Sequence, residues 1–162
     1  ETLENTYKEY VTIEQEMAFL TEYLEVQKIR LPKSFSYQIS VDEELEVDDL
    51  LIPSMILQPF VENSIEHGFT GTDRPGRVSI GFEKQGNELL IRIADNGKGL
   101  TSSAPATDGH ISRASQIIKD RIYLLNIKLK TRAGFRIDNN PGGEGVLVLI
   151  HLPILYKDQI AG

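Results

Sequence analysis

Two runs decide the architecture: Arg77-Val78-Ser79-Ile80-Gly81-Phe82-Glu83 and Glu88-Leu89-Leu90-Ile91-Arg92-Ile93-Ala94-Asp95, joined through Gln85-Gly86-Asn87. Both runs read as strands and a Gly-containing turn separates them, which predicts a β-hairpin. Upstream, Phe35, Tyr37, Ile39 and Val41 alternate with Ser34, Ser36, Gln38 and Ser40. That period of two predicts a strand with one buried face. Downstream, Phe135–Asp138 and Val146–Leu152 bracket Asn139-Asn140-Pro141-Gly142-Gly143 and predict a final pair of strands. Three stretches carry helical periodicity instead. Ile13, Met17, Leu20, Leu24, Gln27 and Leu31 form one stripe, with Thr12 as N-cap, Glu14, Glu16, Glu22 and Glu25 off the stripe, and Leu31-Pro32 as the stop. A second helix places Pro53 in its first turn and runs to about Gly68. The third carries Ile111, Ser115, Ile118, Ile122, Leu125 and Leu129. The order α, β, α, β, β, α, β, β gives an α+β chain. Its expected form is a two-layer α/β sandwich, with helices on one face of a mixed, mostly antiparallel sheet.

The chain has 162 residues, 17 Lys+Arg against 24 Asp+Glu, and a net charge of −7. Its apolar fraction of 40% supports a real core. The acidic balance argues against a general binder of nucleic acid or anionic membrane, so a bound polyanion needs a local site. With no Cys, disulfides, thiolate metal sites and Cys nucleophiles are excluded. No apolar run approaches the ~18 residues of a membrane span, and no signal-peptide pattern opens the chain. The chain starts at Glu1, which suggests a processed chain or a piece of a longer one. Thr70–Gly76 and Thr101–Gly109 are expected as loops, the second a mobile one, and the acidic run from Asp42 to Asp49 as a solvated loop.

Two segments carry chemistry. The first is Leu57-Gln58-Pro59-Phe60-Val61-Glu62-Asn63-Ser64-Ile65-Glu66-His67-Gly68. On a helical wheel Leu57, Phe60, Val61, Ser64 and Ile65 share one side, while Gln58, Glu62, Asn63, Glu66 and His67 share the other. By itself this pattern fits a solvated amphipathic helix. Asn is nevertheless a poor helix-interior residue, and the polar face lacks Lys and Arg. An amide oxygen beside a carboxylate is hard-ligand chemistry, suited to Mg²⁺ bridging to phosphate.

The second segment is Ile91-Arg92-Ile93-Ala94-Asp95-Asn96-Gly97-Lys98-Gly99-Leu100. A strand ending in a tight turn explains it structurally. Functionally, the glycines permit close approach to a planar ligand. A carboxylate at the strand end accepts a hydrogen bond from adenine's exocyclic amine, whereas guanine offers a carbonyl at that edge. Facing that carbonyl costs about 1–3 kcal/mol, or roughly 5- to 150-fold in affinity.

Gln58-Pro59-Phe60-Val61-Glu62-Asn63, followed by Ile65, His67 and Gly68, stands with its Asn 32 residues ahead of Asp95-Asn96-Gly97-Lys98-Gly99-Leu100. This combination resembles the catalytic, ATP-binding domain of sensor histidine kinases. The two segments look like the N box and first glycine box of the GHKL superfamily, whose fold is the Bergerat-type ATPase sandwich. The closer resemblance is to the bacterial LytS/YehU-like subfamily with its Leu-Gln-Pro-x-Val-Glu-Asn box, often paired with LytTR-type response regulators. Glu14, Glu16, Glu22-Tyr23-Leu24, Lys28 and Arg30 are similar to that subfamily's linker helix, so the likeness runs from about Val11 to Pro153.

The resemblance implies ATP and Mg²⁺ as cofactors. Asn63 would be the Mg²⁺ ligand, Asp95 the adenine-reading carboxylate, Gly97 and Gly99 the wall of the adenine pocket, and His67 a neighbour of the phosphates or ribose. Glu62 stands where ATP-hydrolysing relatives place a water-activating carboxylate and is the catalytic candidate. Residues 1–31 would end a dimerisation and linker region, and 32–157 would form the catalytic domain. The γ-phosphoryl group would pass to a histidine on an upstream helix absent from this chain. It would then be relayed to a response regulator by a homodimeric, membrane-anchored sensor whose kinase domain is cytoplasmic. His67, His110 and His151 are read as structural or site residues, not as the acceptor.

Three departures from the subfamily stand out. Glu66 occupies a position where many relatives have Lys. The stretch Ile111–Ile117, which would open the helix after the ATP lid, lacks glycine, leaving Arg113 or Lys119 to supply charge. No Thr stands in Gly142-Gly143-Glu144-Gly145-Val146. They motivate an alternative, a degraded pseudokinase or dimerisation module. An ATPase or anti-sigma-type serine kinase on the same fold is a further alternative, disfavoured by the linker helix.

Overall fold

The computed structural model describes residues 9–31, 35–69, 74–99, 105–141 and 144–160. In chain order the elements are β1 (Tyr10–Thr12), α1 (Ile13–Arg30), β2 (Phe35–Val41), β3 (Leu51–Pro53) and α2 (Gln58–Asn63). A π-helical turn, Ser64–Gly68, continues α2. Then follow β4 (Gly76–Gln85), β5 (Glu88–Asp95), α3 (Pro105–Leu129), β6 (Gly134–Asn139), β7 (Val146–Pro153) and α4 (Lys157–Ile160).

Five strands form one sheet in the order β2-β4-β5-β7-β6. Only β2 and β4 run parallel; the other pairs are antiparallel. The expected β4–β5 hairpin forms, with Gln85 opposite Glu88 and Gly86 at φ 61° in the first turn position. Along β4, Val78, Ile80 and Phe82 are buried while Arg77 and Ser79 are exposed. That face, with Ile91 and Ile93 of β5 and Val148 and Ile150 of β7, packs against Phe60, Val61 and Ile65 of α2 and Ala114, Ile118, Ile122 and Leu125 of α3. The fold is the α+β sandwich expected from the sequence.

Helix α1 starts where Thr12 predicts. Gln15 N–H donates to Thr12 Oγ1 (3.0 Å) and Thr12 N–H to Gln15 Oε1 (2.9 Å), a reciprocal cap. Ile13, Leu20 and Leu24 are fully buried in the chain's own core, and β1 pairs antiparallel with β3.

Several expectations need correction. Glu16 is buried at 2% exposure, although the stripe placed it outside. Pro53 belongs to β3; the proline in the first turn of α2 is Pro59. The second helix does not stay regular to Gly68 but widens at Ser64. Residues 105–109 open α3 and are not loop, so His110 also lies in a helix; 101–104 fall outside the described residues, as do 70–73 and 142–143. The acidic run is a loop of turns, as expected, in which Asp42 accepts the backbone N–H groups of Glu44 (3.1 Å) and Lys84 (3.2 Å). Those two bonds hold the Asp42 carboxyl below its usual range.

Candidate nucleotide site

The sheet supplies one half of the site. Asp95 ends β5 and is 6% exposed. Its Oδ1 accepts N–H bonds from Gly97 (2.9 Å) and Val146 (3.1 Å), and its Oδ2 accepts the Ser64 hydroxyl (2.5 Å). A carboxylate has about four acceptor positions, so this anchoring leaves Oδ2 able to take a further donor. Phe60, Asn63, Ser64, Ile93, Asp95, Val146 and Val148 border a slit of about 10 Å³ beside it.

Two glycines shape this end by close approach. A Cβ on Gly97 would lie 2.2 Å from the Gly68 carbonyl oxygen, whose acceptor role is filled by Lys98 N–H (2.8 Å). A Cβ on Gly145 would lie 1.8 Å from the Asp95 carbonyl oxygen, and Gly145 also has φ 90°. Gly99, at φ 79°, packs beside Asn139 and Gly145 and borders neither cavity described here. Arg74 donates to the carbonyls of Asn96 (2.8 and 3.1 Å) and Gly97 (3.0 Å) and pairs with Glu144 (3.3 Å), which fastens the turn after β5.

Helix α2 supplies the other half. Pro59, Glu62, Asn63, Glu66 and His67 line a cavity of about 310 Å³ whose opposite wall is Arg113, Ala114 and Ile117 of α3. Burial, and then the neighbouring Glu66, pushes the Glu62 carboxyl up from its ordinary value. Asn63 borders both this cavity and the Asp95 slit, and its Oδ1 is buried without a hydrogen-bond partner. An unpaired buried amide oxygen is costly, and a hard cation would satisfy it. The donor set of Asn63 and Glu62 therefore fits Mg²⁺.

Residues Ile111–Ile117 lie inside α3, not at its start. Their N–H groups serve the helix ladder, so positive charge at this wall comes from the exposed Arg113 side chain. The structure thus brings Glu62, Asn63 and His67 to one cavity and Asp95 to the slit that Asn63 shares. Gly97 packs behind Asp95. Sequence reasoning missed Ser64, Gly145 and Arg74. Only Ser64 left a signal, a hydroxyl on the apolar side of the α2 wheel.

No family model matches the chain. It is 29% identical over 145 residues to sensor protein LytS of Staphylococcus epidermidis, covering 86% of this chain and 24% of that protein. Over 88 residues it is 35% identical to sensor histidine kinase BtsS of Escherichia coli, covering 54% of this chain and 15% of that protein. The chain thus spans less than a quarter of these two relatives. Among solved structures it is similar to mycobacterial sensor histidine kinase MprB, with a TM-score of 0.58 at 17% identity over 91% of this chain and 98% of that one. The fold is that of histidine kinase catalytic domains. In sequence the chain is similar to sensor histidine kinases, LytS among them.

Proposed function

We propose that this chain binds ATP with Mg²⁺ and serves as the catalytic domain of a sensor histidine kinase. The observation that carries the reading is Asn63. Its unpaired Oδ1 stands between the slit beside Asp95 and the larger cavity edged by Glu62, His67 and Arg113. A nucleotide laid across that wall would place its base at Asp95 and its phosphates toward Glu62, His67 and Arg113.

In this reading Asp95 Oδ2 accepts the adenine amine, and Ser64 and the Gly97 and Val146 amides keep the carboxylate oriented. Asn63, assisted by Glu62, would hold Mg²⁺, whose chemistry when bound is neutralisation of phosphate charge. Arg113 adds a second positive charge at the phosphate end. Gly97 and Gly99 shape the turn that backs the base. The γ-phosphoryl group passes to an imidazole nitrogen on an upstream helix: the N–P bond forms as the P–O bond to ADP breaks. Glu62 polarises the attacking group. Residues 1–31 lead from the upstream dimerisation region and 32–157 hold the nucleotide. The whole protein is a membrane-anchored homodimer with this domain in the cytoplasm, and it passes its phosphoryl group to a response regulator of the LytTR type. Among the described residues no helix is long and apolar enough to cross a membrane.

The test is displacement of a fluorescent ATP analogue by ATP and by GTP, with and without Mg²⁺, followed by labelling of the full-length protein with γ-labelled ATP. The expected results are Mg²⁺-strengthened ATP binding, poor displacement by GTP, and an acid-labile, base-stable label. Equal displacement by both nucleotides, or an acid-stable label, would overturn the reading.

A further inference from the structure

Helix α1 touches the N-box helix at two polar points two turns apart. Near its start, Glu16 is 2% exposed and is hydrogen-bonded by the side chain of Gln58, the first residue of α2, while its Oε2 has no partner. Seven residues on, Tyr23 directs its hydroxyl at Glu66 Oε2 (3.4 Å), in the π turn beyond Asn63. Seven residues bring a helix back to nearly the same face about 10 Å further along, and Gln58 and Glu66 are separated by a similar rise along α2. The two helices therefore meet in register, with Asn63 between the contacts. Leu20, which lies between them on this side, and Leu24, just past Tyr23, are fully buried.

Leu57 at the N-cap of α2 provides no side-chain hydrogen bond, and the first turn has no acidic residue. A buried carboxyl with only one of its oxygens engaged is an expensive thing to keep in a core. An apolar residue at this position, on a helix stripe already apolar, would pack without that cost. What Glu16 gives in return is a polar hold on Gln58 that an apolar side chain cannot make.

We propose that Glu16 and Tyr23 are positioning residues for the metal half of the nucleotide site. Glu16 holds the head of α2 through Gln58, Tyr23 holds its end through Glu66, and together they set where Asn63 stands. The inference rests on the nucleotide reading above. It also separates the two halves of that site: Asp95 is placed mainly by the sheet, whereas Asn63 is placed by α1.

The experiment measures affinity for a non-hydrolysable ATP analogue with and without Mg²⁺ for wild type, Glu16→Ala, Glu16→Gln, Tyr23→Phe, Gln58→Ala and the Glu16→Ala/Gln58→Ala pair. Amide hydrogen exchange across α2 and β5 is measured without nucleotide. Tyr23→Phe and Gln58→Ala keep the test alive if Glu16→Ala does not fold. The expected result is a loss of about fivefold or more in the Mg²⁺-dependent gain for Glu16→Ala and Gln58→Ala, and a smaller loss for Tyr23→Phe. Glu16→Gln restores the gain, and the double variant is no worse than the singles because they share one contact. Exchange quickens in α2 and not in β5. Unchanged gain and unchanged α2 exchange in folded variants overturn the inference. So does a parallel fall in affinity with and without Mg²⁺, which marks general loosening. Absent nucleotide binding by wild type overturns the functional reading instead, and the exchange data still decide whether α1 holds α2.

Discussion

Ser64 donates its hydroxyl to Asp95 Oδ2 at 2.5 Å, joining the π turn after α2 to the end of β5 across the core. Both residues are nearly fully buried. The bond is where the helix half and the sheet half of the site meet, and the widened turn at Ser64 is the kind of local irregularity that gathers at functional sites.

Removing that hydroxyl tests the joint. Ser64→Ala leaves Oδ2 without its protein donor, at a cost of about 1–3 kcal/mol in stability because the acceptor is buried. Base selectivity should also relax, since the carboxylate is freer to rotate. Chemical denaturation gives the first effect and competition between ATP and GTP the second.

Gly97→Ala should cost more. Its new methyl group would meet the Gly68 carbonyl at 2.2 Å, a backbone atom that cannot swing aside. The turn after β5 and the end of the π turn must separate, so loss of about 2–4 kcal/mol or failure to fold is expected, read by thermal melting.

Glu16 gives a pH signature. Burial pushes its carboxyl from 4.5 up to about 7, with the Gln58 hydrogen bond pulling the other way. The folded chain therefore holds this proton more tightly than the unfolded chain. The group's contribution is fully present below about pH 4.5 and is lost as the pH rises to about 7, by at most about 3 kcal/mol. Glu16→Gln removes that titration. The variant should match wild type near pH 4.5 and exceed it in stability above pH 7, measured by denaturant melts across the range.

Charge at the phosphate end is the fourth lever. Arg113 and Glu66 border the same cavity with opposite sign, and both are solvent-exposed. Arg113→Ala should weaken ATP-analogue binding about 2- to 5-fold, and in a Tyr23→Phe background, where the Tyr23 contact is already gone, Glu66→Lys should strengthen it by a similar factor. Both effects should shrink at high salt.

The hairpin, the alternating β2 and the stripe of α3 were legible because each declares its period without help from distant residues. The α2 segment was legible in chemistry but not in backbone form, since a π turn has no local signature. Glu16 misled because the stripe ran through Ile13, Leu20, Leu24 and Gln27, all buried as expected, and the buried face of α1 proved wide enough to take in the neighbouring Glu16 as well. Residues 105–109 read as loop from Pro, Thr and Gly, yet a proline suits a helix's first turn and the buried stretch from Ala114 onward sustains the helix. Gly145 and Arg74 act across loops distant in sequence, so only the fold reveals what they touch.

The central claim is that Asn63 and Asp95 hold opposite ends of one Mg²⁺-nucleotide. Calorimetric titration of a non-hydrolysable ATP analogue, with and without Mg²⁺, into wild type, Asn63→Ala and Asp95→Ala tests it most directly. The account predicts Mg²⁺-strengthened binding by wild type, loss of the Mg²⁺ effect in Asn63→Ala, and loss of binding in Asp95→Ala. No binding by folded wild type at millimolar analogue, or Mg²⁺-strengthened binding that survives in Asn63→Ala, would contradict it.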